Sequence, residues 1–444
     1  MKNAIRLSDH FTYKHLLRFT VPSVIMMVFT SVYGVVDGFF ISNFAGKTGF
    51  AAVNFIIPFV FVLGTVGFMF GTGGSAVIAK TLGQGDKKKA NELFSLFVYV
   101  AFIIGILISI AGFILLRPIA TLLGAEGEML EECVRYGKII IAANPAFVLQ
   151  MVFQSFFITA EKPKLGLVST VLAGCTNMIL DALFVAVFSL GVTGAALATG
   201  ISQIVGGVFP IIYFSLPNNS LFRLGKTHFD GRAIWKTCVN GSSELMSNIS
   251  MNLVSILYNI QLLKFAGEDG VSAYGVLMYV GFIFVTIFIG FSIGSAPVIS
   301  FHFGAKNHGE MKSLLKKSVV LISLASLGMF IVSQLLAVPL ASLFVGYDQA
   351  LLQMTVRGFR FHAFSFFFSG FAIFSSSFFT ALNDGVTSAL ISFLRTLLFQ
   401  IASVMLLPLI LGVDGIWSSI IISEVMSVVL ALIFFIKKRE YYHY

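Results

Sequence analysis

The chain has 444 residues, of which 57% are hydrophobic and only 11% charged, whereas soluble globular proteins carry roughly 25% charged residues. A mean hydropathy of +0.94 and 49 phenylalanines exclude a soluble enzyme, a nucleic-acid binder and a disordered chain. The net charge of +9 takes its meaning from where the basic residues fall.

A helix needs about 20 apolar residues to cross roughly 30 Å of hydrocarbon. Applied in chain order, this predicts twelve spans, at 17–42, 51–79, 94–116, 139–160, 165–188, 192–216, 239–263, 272–301, 318–340, 359–381, 386–410 and 415–436. Segments 94–116 and 139–160 contain no Asp, Glu, Lys or Arg, and in 165–222 the only charge is Asp181. A turn near 189–194 divides that stretch. Only short loops remain, so the fold class is an all-α membrane protein without a soluble domain. No n-region, short apolar core and cleavage site open the chain, so no cleaved signal peptide is expected. Cys133, Cys175 and Cys238 form neither a CxxC nor a Cys/His ligand pattern, which gives no support to a zinc site or a disulfide framework.

The basic residues set the orientation. With the N-terminus cytoplasmic, twenty-one fall in inner segments, including Lys2, Lys87, Lys88, Lys89 and Lys437, and seven in outer ones, including Lys47, Arg117, Arg357 and Arg360. Both termini are therefore expected inside a plasma membrane, and the positive charge needs no nucleic-acid partner.

Shifting the sequence by 221 residues aligns its halves without a gap. Phe44-Ala45-Gly46 meets Phe265-Ala266-Gly267; Gly73 and Gly83 meet Gly294 and Gly304; Phe153, Ser155, Phe157 and Thr159 meet Phe374, Ser376, Phe378 and Thr380; Leu190-Gly191-Val192 meets Leu411-Gly412-Val413. The shift covers six spans, an even number, so the repeat is parallel and relates two pseudo-symmetric six-helix lobes, with substrate expected between them near the midplane. The expected organisation is an N-terminal lobe at 1–216, a cytoplasmic linker at 217–238 and a C-terminal lobe at 239–444.

Charges inside spans are costly and face the protein interior. They are Asp37, Asp181, Glu244, Arg395 and Glu424. Asp37 and Asp181 lie about 28 Å and 25 Å along their helices from the inner basic residues Arg18 and Lys164, and Thr199 lies roughly 10 Å below the outer surface. Asn177 is one turn from Asp181 on the same face. These four are expected to share one depth. Their repeat counterparts are Tyr258, Ala402, Leu398 and Ile420, so the fold itself does not require them. Two carboxylates in a low-dielectric site cannot both ionise cheaply; such a group takes up a proton, or a Na⁺ held by carboxylate, amide and hydroxyl oxygens. Arg395 and Glu424 are expected to meet as a structural ion pair, with Glu244 as the competing partner.

With these residues in view, the chain resembles the multidrug and toxic compound extrusion (MATE) family over nearly its whole length. The resemblance rests on twelve spans in two lobes, the run Val36-Asp37-Gly38-Phe39-Phe40-Ile41-Ser42, the Asn177…Asp181…Thr199 spacing and the loop Leu82-Gly83-Gln84-Gly85-Asp86. It implies an N-lobe cation site at Asp37, Asn177, Asp181 and Thr199, with Tyr33 beside it. It also implies export of amphipathic organic cations in exchange for H⁺ or Na⁺, without catalytic residues or a resident cofactor, in a protein expected to be monomeric.

Polar residues within spans, Asn54, Asn144, Gln150 and Gln154, are candidates for the substrate cavity, each against the alternative of bridging helices. Gly46-Lys47-Thr48 is an accidental match to the end of a P-loop, because the glycine required five residues before Gly46 is Ile41. The rival reading is a flippase for a lipid-linked precursor, whose cavity should be basic; here span-embedded acids outnumber bases four to one. A channel would need a continuous polar lining and an enzyme a catalytic constellation, and neither is visible.

Overall fold

Hydrocarbon offers backbone N–H and C=O groups no partner, so each crossing segment closes its own hydrogen bonds as a helix. The computed structural model describes residues 5–444, so Lys2 lies outside the described residues. In chain order the helices are α1 (Tyr13–Phe44), α2 (Gly46–Gly83), α3 (Lys87–Leu123), α4 (Gly127–Thr159), α5 (Pro163–Asp181), α6 (Gly191–Ser215), α7 (Gly231–Gly304), α8 (His308–Val345), α9 (Gln349–Ala381), α10 (Gly385–Phe393), α11 (Phe399–Leu406), α12 (Pro408–Leu411) and α13 (Val413–Tyr442).

The twelve expected spans are recovered with three local differences. α7 carries two of them in one run, broken where Gly267 takes φ 66° and ψ −158°. The fifth span ends in a π turn, Ala182–Val187, directly after Asp181. The eleventh is divided into α10, a π turn at Leu394–Leu398 containing Arg395, α11 and α12, the last opened by Pro408. In addition, α7 starts at Gly231 because the Asp230 side chain accepts from Ala233 N–H, so the last part of the expected 217–238 linker is already helical.

The repeat is written into the backbone. Positive φ recurs at the 221 offset in Gly46 and Gly267, Gly85 and Lys306, and Gly191 and Gly412. Equivalent side chains also cap equivalent helices, Asp86 accepting from Lys89 N–H at α3 and Asn307 from Glu310 N–H at α8. The phenylalanine-rich cores repeat too. Phe153, Phe157 and Phe214 cluster in one lobe, with ring centroids 5.2–6.3 Å apart. Their counterparts Phe374, Phe378 and Phe435 form a like chain in the other, at 5.9 and 5.4 Å.

The lobes touch along α1, α2 and α7, at the end of the bundle that carries the termini. There a Cβ on Gly294 would lie 3.1 Å from Thr20 Cα and one on Gly290 2.6 Å from Val24 Cα, while Ser300 Oγ donates to Ala76 O at 2.8 Å. Toward the opposite face a Cβ on Gly34, Gly38 or Gly275 would meet nothing within 4 Å, so the close glycine-mediated approach of the lobes is confined to the end with the termini. The N-terminal segment straps the closed end: Leu7 N–H donates to Glu161 Oε1 of the first lobe at 2.7 Å, and Phe11 N–H to Glu310 Oε1 of the second at 2.9 Å.

The C-terminal helix is pinned at the same end. Lys438 Nζ pairs with Asp384, which also accepts from the Thr387 hydroxyl at 2.8 Å. Burial works against the charged form of Asp384, but Lys438 and Thr387 prevail and hold its carboxyl below the usual carboxylate range. A depressed folded-state value means stability that is present above the unfolded value and lost as pH falls through the folded one. Asp384→Asn should therefore lower thermal stability at pH 7, by roughly 1 kcal/mol, and the gap to the parent should close below about pH 4. Melting curves of both proteins from pH 3 to 8 check this; a gap that is constant with pH would remove the ion pair as its cause.

Candidate functional site

The first lobe brings together residues from α1, α5 and α6. Tyr33 and Asp37 lie one turn apart on α1, Asn177 and Asp181 one turn apart on α5, and Thr199 on α6 faces both helices. Asn177 Nδ2 donates to Thr199 Oγ1 at 3.3 Å, and Thr199 Oγ1 to Asp37 Oδ1 at 3.5 Å. Asp181 is fully buried, and its carboxyl adjoins that of Asp37. The four expected site residues thus converge.

The oxygen inventory is unbalanced. Asn177 Oδ1 and both Asp181 oxygens are buried and accept no hydrogen bond from any described residue. Buried polar atoms without partners are rare, and each calls for an explanation. Together with Asp37 and the Thr199 hydroxyl they form a nest of acceptors that a proton or a hard monovalent cation would satisfy. Position of the nest depends on the π turn after Asp181, where Phe188 N–H bonds back to Leu183 O; π turns inside α-helices occur frequently at functional sites.

Tyr33 lies against Gly174, where a Cβ would come within 2.7 Å of its ring, with the Gln150 side chain nearby. Gln150 in turn packs on Gly206 of α6, which ties α4 to the wall of the nest. Tyr136, only 3% exposed and in the field of both acids, was not singled out from the sequence. Its signal was its repeat counterpart, Arg357: a phenol in one lobe and a guanidinium in the other at equivalent positions.

The cavity candidates divide. Asn54 is exposed near the open end of α2 and bonds its own helix at Phe50 O. Gln154 is buried with Nε2 unpartnered among the described residues. Asn144 takes the helix-bridging alternative, since it is 2% exposed and donates to Ser109 Oγ of α3 at 3.2 Å. A buried amide needs such a partner, and the bridge withholds it from a cavity.

In the second lobe Arg395 and Glu424 meet as expected, with Nε 2.9 Å from Oε2 and Nη2 2.8 Å from Oε1. Glu244 does not join them. It lines a chamber of about 10 Å³ between the lobes, with Thr72, Ser75, Ser155, Ser377 and Thr380, room for about one water. Leaving a buried charge without its partner typically costs about 3–5 kcal/mol, so Arg395→Glu should lower the melting temperature sharply and Glu424→Arg in the same chain should restore it. A reversed double variant no more stable than the single one would show that the pair is not what holds α13 to the π turn.

A family model described as MatE matches residues 22–183 and 245–406, once per lobe. Multidrug export protein MepA of Staphylococcus haemolyticus (strain JCSC1435) is 28% identical over 70% of this chain and 69% of its own. MepA of Staphylococcus aureus (strain N315) is 24% identical over 95% of this chain and 93% of its own. Among solved structures, a MATE protein in complex with MaL6 superposes with a TM-score of 0.93 at 21% identity, covering 100% of this chain and 99% of that one. An outward-facing multidrug resistance MATE family transporter of the MOP superfamily gives 0.91 at 21% identity, with coverage of 100% and 99%. At that identity the structural likeness carries the fold.

Proposed function

Since the chain belongs to the MatE family, we propose that it is a secondary active multidrug exporter, moving amphipathic organic cations out of the cell in exchange for H⁺ or Na⁺. The observation that carries this reading is the acceptor nest of the first lobe, where buried Asp181 and Asn177 oxygens without donors lie beside Asp37 and Thr199. The relatives named as multidrug export proteins support the same reading. The ion enters the nest from the cleft, neutralises the carboxylates, and leaves when the lobes rock about their closed seam. Cation and substrate then use one cleft alternately. The end bearing both termini faces the cytoplasm, in keeping with its excess of Lys and Arg, and one chain is the transporting unit. A flippase gains little support, because Arg395, the basic residue deepest in a span, is already neutralised by Glu424 and is not free to hold a pyrophosphate.

Proteoliposomes loaded with a cationic dye test the proposal under separately imposed Na⁺ and pH gradients. Dye movement against its gradient under one of them is expected. A folded, reconstituted protein that moves dye under neither gradient refutes antiport, and movement of an anionic lipid analogue instead would establish the flippase.

A further inference from the structure

The lobes share one repeat, yet they differ at one pair of equivalent corners. Where α3 meets α4, on the face opposite the termini, Arg117 pairs with Glu131 at 2.7 Å and Arg135 with Glu132 at 2.9 Å. At the 221 offset these four residues become Val338, Leu352, Val356 and Gln353, and Tyr136 and Ile139 become Arg357 and Arg360. The corner between α8 and α9 has lost both ion pairs and gained two guanidinium groups. In their place is a cavity of about 430 Å³ lined by Val338, Leu352, Gln353, Val356, Arg357 and Arg360.

This cavity is turned away from the interlobe cleft. Gln353, Arg357, Arg360 and Phe364 form one exposed stripe along α9. On one side the stripe borders α8, where the Phe330 and Phe364 rings lie 4.9 Å apart, and on the other α13, where Arg357 pairs with Asp414 at 2.5 Å. The opposite side of α9 packs on α7 through Phe359, His362 and Phe366. The stripe therefore looks out between α8 and α13 into the bilayer, and apolar surface flanks it on α8 in Leu335, 73% exposed.

Depth and charge narrow what fits there. Arg357 and Arg360 follow the start of α9 by two to three turns, roughly 12–16 Å, and the charge-free run of that helix begins directly after Arg360. Both guanidinium groups thus sit at the boundary between headgroups and hydrocarbon. Asp414 offsets Arg357, while Arg360 forms no ion pair among the described residues, which leaves one net positive charge beside an apolar wall.

We propose that this groove binds the headgroup of an anionic phospholipid from the surrounding leaflet. The phosphodiester takes the planar fork of Arg360, with Arg357 held beside it by Asp414 as a second positive wall, Gln353 meets the glycerol oxygens, and an acyl chain lies along Leu335 and Phe364. A zwitterionic lipid would bring its own ammonium against the uncompensated Arg360, so the site discriminates by charge.

Native mass spectrometry of the full-length protein, titrated with phosphatidylglycerol or with phosphatidylethanolamine of the same chains, provides the test. One phosphatidylglycerol should be retained about tenfold more tightly than phosphatidylethanolamine. Arg357→Gln with Arg360→Gln should abolish the preference, and Arg117→Gln at the equivalent corner should leave it intact. Should the double variant fail to fold, Val338→Trp fills the groove with both charges in place and should weaken phosphatidylglycerol retention alone. Equal retention of the two lipids overturns the proposal, as does an unchanged preference in whichever of these groove variants folds. Displacement of the lipid by soluble glycerol phosphate at equal concentration also overturns it, since the site would then serve a free phosphoester.

Discussion

Asp181→Asn and Asp37→Asn should each reduce gradient-driven export to the background of empty liposomes while leaving the protein folded and inserted. The amide keeps the carboxylate's shape but gives up its charge and brings its own donor, so the nest no longer needs a proton or cation. For Asp181→Asn the amide N–H₂ takes the place of a carboxylate oxygen that has no donor among the described residues, and it can donate to the neighbouring Asp37 carboxylate. Thermal stability should therefore be no lower than in the parent, which separates loss of coupling from loss of fold. Parallel melting curves with and without NaCl identify the ion. A Na⁺-dependent rise in melting temperature, present in the parent and absent from both variants, assigns Na⁺; its absence from the parent assigns the proton. Export at the parent rate by both single variants would remove the nest from the mechanism.

The sequence carried the nest because a carboxylate in hydrocarbon is expensive wherever the helix places it, and because the second copy of the repeat has Tyr258 and Ala402 at the equivalent positions. The spans were readable for a similar reason: the bilayer imposes helix and length together. What the sequence left open depends on which side chains meet. For Asn144 the sequence left cavity lining and helix bridging equally open, and the choice rests on Ser109 of another helix meeting it. The π turns at Ala182–Val187 and Leu394–Leu398 are slips of hydrogen-bond register within apolar runs that read as uninterrupted helix. Gly83 and Gly304 were visible as one matched pair of the repeat, but an offset says only that two positions are alike and not that they touch.

They do meet the opposing strand of helix, and in a reciprocal way. A Cβ on Gly83 would lie 2.0 Å from Phe301 O, and a Cβ on Gly304 would lie 2.1 Å from Lys80 O. Lys80 and Phe301 are themselves separated by the repeat offset, so the pseudo-two-fold axis runs through this crossing of α2 with the end of α7. Both obstructions are backbone carbonyls, which cannot swing aside as a side chain does. Gly83→Ala with Gly304→Ala should therefore force the lobes apart at the end that carries the termini. Overpacking costs about 1–3 kcal/mol per site. Two sites give about 2–6 kcal/mol against the closed seam, enough to shift the ratio of the two states by at least about tenfold. Holding the seam shut against this are the Ser300 contact with Ala76 and the strap from Leu7 and Phe11 to Glu161 and Glu310, so each single variant should fall between the parent and the double. The reporter is Ser377→Cys, in the small chamber next to Glu244. Its reaction with a membrane-impermeant thiol reagent from the terminus-bearing side should be slow in the parent background and fast in the double variant, and export should fall by at least about tenfold. Slow labelling together with full export in the double variant would mean that the lobes pivot on some other contact, and that the glycine crossing only lets two helices pass.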